Sequence, residues 1–126
     1  MKKSKFSFLF LILVIVTGNP QTAITIPLRF LWANNTSSSV TIICPAESPS
    51  NVKLAAREVR RYLYLRTSKF LPIAEYAAGN TISFRIDNSL EKQQYHLKSD
   101  GRSMVISGGS DVAVLYGAYE FAEKIG

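Results

Sequence analysis

Side chains able to carry acid–base or nucleophilic chemistry are few in this sequence. His96 is the only histidine and Cys44 the only cysteine among 126 residues. A hydroxyl or thiol nucleophile needs a neighbouring base, and a metal site needs several converging ligands. One histidine on an alternating segment supplies neither, so we interpret His96 as a structural or exposed side chain. We expect no catalytic residue, no metal site and no cofactor.

Paired carboxylates are the arrangement that hydrolyses glycosidic bonds. Glu120 and Glu123 lie three residues apart and therefore share one surface of a predicted helix. We interpret them as solubilising residues rather than a catalytic pair. Cys44 ends an apolar run and can form no internal disulfide. We interpret it as a small buried hydrophobic residue, not a reactive thiol, because no neighbour in sequence would lower its pKa.

The segment Gly108-Gly109-Ser110-Asp111 joins a predicted strand to a predicted helix. It lacks the second glycine of a nucleophile elbow and the lysine of a phosphate-binding loop. Backbone amides at a helix N-terminus are able to hold an anion, but Asp111 already places negative charge there. A plain turn, with Ser110 or Asp111 as the helix cap, is the favoured interpretation.

The elements that position these residues follow from hydrophobic periodicity and turn chemistry. A β-branched run, a long amphipathic helix, a short extended segment, an alternating strand, a hairpin turned by Asp100-Gly101 and a final helix succeed one another. The fold class is α+β, with a mixed β-sheet covered by two helices in the order β-α-β-β-β-β-α. The segments are 40–44, about 50–68, 70–73, 81–87, 95–98, 103–107 and about 111–125.

Each predicted helix has an apolar stripe that should face the sheet. Gly117 in the second helix predicts a close approach to a neighbouring backbone, since glycine there costs about 1 kcal/mol relative to alanine. Arg57, Arg60 and Arg61 lie mostly off the first stripe. We interpret them as a solvated face, with a site for an anionic polymer as the alternative. The stripes are Val52, Ala55, Ala56, Val59, Tyr62 and Leu63, and then Val112, Leu115, Tyr116, Tyr119 and Ala122.

The N-terminus has the anatomy of a secretory signal peptide. Lys2, Lys3 and Lys5 precede the apolar run 6–16, which is too short for a stable membrane span. We predict a signal peptide over 1–23 and a secreted or extracytoplasmic protein. Without these three lysines, 12 of the 15 basic residues remain against nine acidic ones, a net charge of +3. Basic and aromatic residues do not interleave, so we expect no nucleic-acid partner.

Residues 24–39 are predicted to be an irregular lead-in and a polar linker. The linker contains two overlapping glycosylation sequons, at Asn34 and Asn35, which matter only in a eukaryotic source. A plain flexible loop is the alternative interpretation. The folded domain is predicted to span 40–126.

Two segments together resemble a known family. Residues 54–63 (LAAREVRRYL), followed by Thr67 and Leu71-Pro72-Ile73, are similar to a motif of the alpha-glucuronidase N-terminal domain, found in glycoside hydrolase family 67 and relatives. The hairpin and last helix resemble the end of that domain. The shared residues there are Asp100-Gly101, Ile106, Gly108-Gly109, Leu115-Tyr116-Gly117, Tyr119-Glu120-Phe121, Glu123 and Gly126. Ser68, Ala113 and Ala122 depart from the family pattern, Ser68 standing where glycine usually follows the threonine.

The resemblance implies a fold like domain 2 of the beta-hexosaminidases. It implies a non-catalytic, exported domain of a glycoside hydrolase active in carbohydrate metabolism and xylan catabolism, here without the (β/α)8 barrel against which such domains pack. No catalytic residue of the family can be transferred, since those residues lie in the barrel. The alternative is a free-standing secreted module that binds carbohydrate or protein. Exposed aromatic residues such as Tyr64, Tyr76 or Trp32 would favour it, although aromatic residues are more often packed in the interior.

Overall fold

The computed structural model describes residues 14–16, 40–99 and 103–125. It confirms the α+β class and the predicted order of elements from Val40 onward. No helix within these ranges is long and apolar enough to cross a membrane. The strands are β1 (Val14–Val16), β2 (Val40–Ile43), β3 (Ile73–Ala74), β4 (Asn80–Ile86), β5 (Tyr95–Ser99) and β6 (Ser103–Gly108), and the helices are α1 (Ser50–Thr67) and α2 (Asp111–Ile125).

The strands form one mixed sheet in the order β1-β5-β6-β4-β2-β3. Strand β2 pairs in parallel with both β3 and β4, and β4 pairs in parallel with β6. Because parallel neighbours need a crossover connection, α1 between β2 and β4 explains this part of the sheet. Strand β3 lies at the edge, the position expected for a strand that follows Pro72.

The hairpin adds the antiparallel part. Strand β5 pairs with β6 from Tyr95 opposite Gly108 to Ser99 opposite Met104. The turn itself, predicted at Asp100-Gly101, lies outside the described residues. The pairing on either side of it has the register that a short connection produces.

Strand β1 pairs antiparallel with β5, with Ile15 opposite His96. This three-residue strand falls in the segment that the sequence predicts to be the apolar core of a signal peptide. The rest of the predicted signal peptide, the lead-in and both sequons lie outside the described residues. Cleavage of the signal peptide stays a prediction, and its consequence would be an open edge on β5.

Both helices pack on the same face of the sheet. Ile42, Ile82 and Met104 are opposite one another across β2, β4 and β6 and are all buried with residues of both helices. The stripe predicted for α1 is confirmed, except that Tyr62 is only half-buried. The largest fully buried side chain is Phe121 of α2, which belongs to this core.

The stripe predicted for α2 is only partly confirmed, because Ala122 is buried and Leu115 packs against the core but the other three members do not. Val112, Tyr116 and Tyr119 are exposed, and the side of α2 that faces the core is built mainly from small residues. A Cβ at Gly117 would lie 2.8 Å from the Cγ2 atom of Ile106. Gly117 therefore brings the helix close to the sheet, but the neighbour is a side chain rather than the predicted backbone. The buried residues of α2 are Ala113, Val114, Gly117, Ala118, Phe121, Ala122 and Ile125.

The helix ends differ in how well they match the sequence. Ser110 caps α2, because its Oγ accepts a hydrogen bond from the backbone N–H of Ala113 at 3.2 Å. Helix α1 instead begins after Pro49 without a side-chain cap hydrogen bond. Its C-terminus closes at Ser68, whose φ of 65° is left-handed.

Candidate functional site

A cleft of about 740 Å³ lies between α2 and the loop that precedes β5. The loop contributes Glu91 and two glutamines, β5 contributes Tyr95, and α2 contributes two tyrosines and two glutamates. Aromatic rings beside hydrogen-bonding groups are the usual lining of small-molecule sites. The α2 residues are Tyr116, Tyr119, Glu120 and Glu123.

The loop that precedes β5 is hydrogen-bonded to the two residues that precede α2. The backbone N–H of Gly109 donates to the carbonyl oxygen of Gln94 at 3.0 Å, and the Ser110 hydroxyl donates to that of Lys92 at 2.7 Å. A Cβ on Gly109 would overlap the carbonyl oxygen of Glu91. Glycine at position 109 therefore permits the close contact that shapes this side of the cleft.

The beginning of the same loop is ordered by Asp87. Its carboxylate accepts hydrogen bonds from the backbone N–H of Ser89 at 3.0 Å and from the Ser89 hydroxyl at 2.7 Å. These bonds favour the charged form and lower the pKa of Asp87 below its ordinary value, with a smaller effect from the charge of Arg85. This arrangement is an Asx turn that leads the chain from β4 into the loop.

The tyrosines of the cleft have different surroundings. Tyr95 is buried against α2, beside Gly117. Burial raises the pKa of Tyr95, and the negative charge of Glu120 and a hydrogen bond to it act in the same direction. Tyr116 and Tyr119 are 48% and 41% exposed, so their rings are available to a ligand.

The electrostatic character of the cleft is acidic. Glu91, Glu120 and Glu123 line it, and no basic side chain in the described part of the chain does so. Lys124, which does not line the cleft, forms an ion pair with Glu120 at 3.4 Å. The lining therefore suits an uncharged polyhydroxyl ligand, which stacks on tyrosine and donates hydrogen bonds to carboxylates, and disfavours an anion.

Of the candidate functional residues named from the sequence, the structure brings some together and separates others. Glu120 and Glu123 share the cleft, as their spacing predicts. His96 lies on the opposite face of the sheet, because it alternates with Tyr95 along β5. Asp111 accepts a hydrogen bond from the Asn51 side chain at 3.0 Å and so joins the starts of the two helices.

Cys44 is half-buried immediately after β2, rather than fully buried within a strand. Its side chain packs against the core, in keeping with a hydrophobic role. The arginines of α1 lie off the buried stripe, and both Arg60 and Arg61 interact with neighbouring side chains. Arg61 pairs with Glu58 at 3.0 Å, and the Arg60 guanidinium lies 4.4 Å from the ring centroid of Phe70. These contacts agree with a solvated helix face.

Two of the three aromatic residues named from the sequence as candidates for sugar binding are exposed. Tyr64 and Tyr76 are 48% and 84% exposed, so the expectation that they are packed is wrong. Tyr64 forms an edge-to-face pair with Phe70, with centroids 6.0 Å apart. Trp32 lies outside the described residues.

Sequence reasoning missed Tyr116 and Tyr119 as surface residues. The small residues Ala113, Gly117 and Ala118 were the available signal, because they recur at helical spacing and are all buried. A stripe of small residues allows a helix to approach a sheet closely, which leaves the larger tyrosines on the other side.

Comparison with known proteins gives a fold relationship. No family model matches the chain, and no curated protein matches it. Among solved structures, the fold resembles a segment of a glycoside hydrolase, a GH138 enzyme targeting pectin rhamnogalacturonan II. The TM-score is 0.56 at 11% sequence identity. The match covers 69% of this chain and 10% of that one, so the chain corresponds to about a tenth of the enzyme.

Proposed function

We infer that this chain is a non-catalytic domain of the glycoside hydrolase type, and we assign it to the alpha-glucuronidase N-terminal kind. The observation that carries the proposal is the fold correspondence with one segment of a glycoside hydrolase. The motifs at residues 54–73 and 100–126 add the finer assignment. Polysaccharide breakdown, with xylan as the substrate of the parent enzymes, is the process in which such a domain serves.

In this proposal the domain packs against a catalytic (β/α)8 barrel and supplies no reacting group. The exposed apolar side chains at the end of α1 are the surface that such packing would cover. Leu65 and Phe70 are 62% and 65% exposed, and Phe70 contacts the ring of Tyr64. Apolar side chains in such a group mark interaction surfaces more often than scattered single ones do.

Export from the cytoplasm is part of the same proposal and rests on the N-terminal signal-peptide pattern. Expression of the full chain in a secreting host, followed by N-terminal sequencing of the protein in the medium, tests it. Cleavage after Gly18 or Ala23 is expected. Protein retained in the cell with residues 1–23 intact would contradict export.

A second candidate function is a free-standing carbohydrate-binding module, and the cleft on α2 is the observation that favours it. Two half-exposed tyrosines stand beside three carboxylates and two glutamines in a cleft large enough for a small saccharide. Neutral saccharides offer both apolar ring faces and hydroxyl donors, which match this lining. Uronic acids do not, because their carboxylates would meet those of the glutamates.

Thermal unfolding of the full chain with neutral oligosaccharides separates the two candidates. A ligand that binds the folded state raises the midpoint of unfolding. A packing domain is expected to melt cooperatively at the same temperature with every neutral sugar. A binding module is expected to melt higher with one of them, and Tyr116→Ala should abolish the shift. Tyr76→Ala is the matched control, because Tyr76 is exposed and does not line the cleft.

A shift that Tyr116→Ala removes and Tyr76→Ala preserves would replace the first proposal with the second. A shift that both variants preserve would place the sugar elsewhere and contradict the cleft. The absence of a cooperative transition would contradict an independently folded domain and hence both candidates.

A further inference from the structure

The face of the sheet opposite the helices has a groove of about 420 Å³. Its floor is β6, the strand between β4 and β5. Side chains alternate along a strand, so Ser103, Val105 and Ser107 point to this face while Met104 and Ile106 enter the core. The groove is therefore separated from the tyrosine cleft by the thickness of the sheet.

The two strands that flank the floor carry basic side chains at positions in register with one another. Arg85 of β4 and His96 of β5 are both directly opposite Ser107. Lys98 of β5 is opposite Val105, one step further along the same face. Neighbouring strands lie about 5 Å apart, so Arg85 and His96 flank Ser107 on the two adjacent strands.

Within the described residues, no salt bridge involves the cations of the groove. Neither Arg85 nor Lys98 forms a salt bridge with an acidic residue of the described ranges. Among the described residues that line the groove, Asp87 is the only carboxylate, and it accepts two hydrogen bonds from Ser89. Its charge interacts with that of Arg85 and so reduces the local positive potential, although the two side chains form no salt bridge.

We propose that this groove is a binding site for an oxyanion, a carboxylate or phosphate group carried by a small extended ligand. The Arg85 guanidinium offers a planar pair of donors that fits such a group in a bidentate way. Lys98 supplies a second cation, and the Ser107 hydroxyl supplies a hydrogen bond from the floor. His96, on the far wall, contacts the remainder of the ligand.

A sheet face exposed to water also carries polar residues simply for solubility. Solubility alone predicts mixed charges on a convex or flat surface. Here Arg85, Lys98 and His96 outnumber the one described carboxylate of the groove, Asp87, around a concave floor of two serines and one valine, while the tyrosine cleft on the helix side is lined by three carboxylates. The separation of charge between the two faces favours a specific anion site.

This inference goes beyond the proposed function and does not depend on it. Its residues share none with the tyrosine cleft, so loss of either site leaves the other testable. A carboxylate on an acidic saccharide and a free phosphate present the same chemistry. The probes must therefore include both sources.

Calorimetric titration of the full chain with trigalacturonate, inorganic phosphate and uncharged xylotriose tests the proposal. We expect an oxyanion to bind. Any heat released by xylotriose should be the same for wild type and Arg85→Gln. Arg85→Gln should weaken binding by about tenfold or more, the effect of removing a charge-assisted hydrogen bond. Arg57→Gln is the matched control, since it removes the same charge from an exposed position of α1 outside the groove.

Binding that Arg85→Gln weakens and Arg57→Gln preserves supports the site, and the tighter of the two probes identifies the source of the oxyanion. If Arg85→Gln and Arg57→Gln weaken binding equally, the loss reflects the net charge of the protein alone, and the proposal is overturned. The absence of binding by both oxyanions would overturn it as well. Arg85→Lys supplies a further variant if Arg85→Gln unfolds, and it should lose the bidentate contribution only.

Discussion

Ser68 ends α1 in a conformation that favours glycine. Its φ is 65°, and its backbone N–H donates to the carbonyl oxygen of Tyr64 at 2.8 Å. This geometry is a left-handed helix C-cap, in which the absence of a Cβ removes steric strain. We predict that Ser68→Gly stabilises the domain.

The magnitude follows from two opposing contributions. The left-handed conformation costs an L-residue roughly 1–2 kcal/mol. Replacing serine by glycine removes this cost but makes the unfolded chain more flexible, which lowers stability by about 0.5–1 kcal/mol. The net gain in the free energy of unfolding is therefore about 0.5–1 kcal/mol, which raises the melting temperature by roughly 2–8 °C in a domain of this size.

Urea unfolding of wild type and Ser68→Gly measures this gain directly. The midpoint should move to higher urea with an unchanged slope, since the exposed surface is the same. Ser68→Ala is the control, because alanine keeps the strain of a Cβ and should not stabilise the domain. An unchanged or lower stability of Ser68→Gly, or an equal gain in Ser68→Ala, would refute the strain argument.

Three further predictions concern the core and the cleft. Phe121→Ala should lower the free energy of unfolding by about 3–5 kcal/mol, measured by urea unfolding, because Phe121 is fully buried and its removal leaves a cavity. Gly109→Ala should cost about 1–3 kcal/mol and shift the NMR signals of the loop, since the added methyl group overlaps the Glu91 carbonyl; unchanged loop signals would contradict the contact. The raised pKa of Tyr95 means that the folded state holds the phenolic proton more tightly than the unfolded state does. The contribution of Tyr95 to stability is therefore complete below pH 10.0, the ordinary pKa of tyrosine. It is lost as the pH rises through the higher pKa of the folded state. The difference in stability between wild type and Tyr95→Phe, followed by urea unfolding as the pH is raised, should show this loss, and a pH-independent difference would contradict it.

The sequence was sufficient for the elements because each has a local signal. Alternation along β4, the apolar period of α1 and the Gly108-Gly109 break before α2 all depend on residues close together in the chain. The parallel pairing of β2 with β4 also follows, since a helix connects them. The segment that pairs with the free edge of β5 could not be predicted, because strand pairing between residues 14–16 and 95–97 is non-local.

The orientation of α2 shows where periodicity misleads. Tyrosine counts as apolar in a pattern, yet its hydroxyl and large ring suit a half-exposed position equally well. Alanine and glycine carry little pattern signal, although Ala113, Gly117 and Ala118 form the side that approaches the sheet. The candidate cleft was missed for the same reason, and because its other wall, the loop at Glu91, is distant in sequence.

The proposal that this domain performs no hydrolysis is tested most directly by an activity assay. The purified full chain is incubated with xylan and with pectin, and the release of reducing ends is measured beside Glu120→Gln and Glu123→Gln. We expect no release above the protein-free control from wild type or either variant. Release by wild type that either glutamine variant abolishes would contradict the account, because it would make the acidic cleft on α2 a catalytic site.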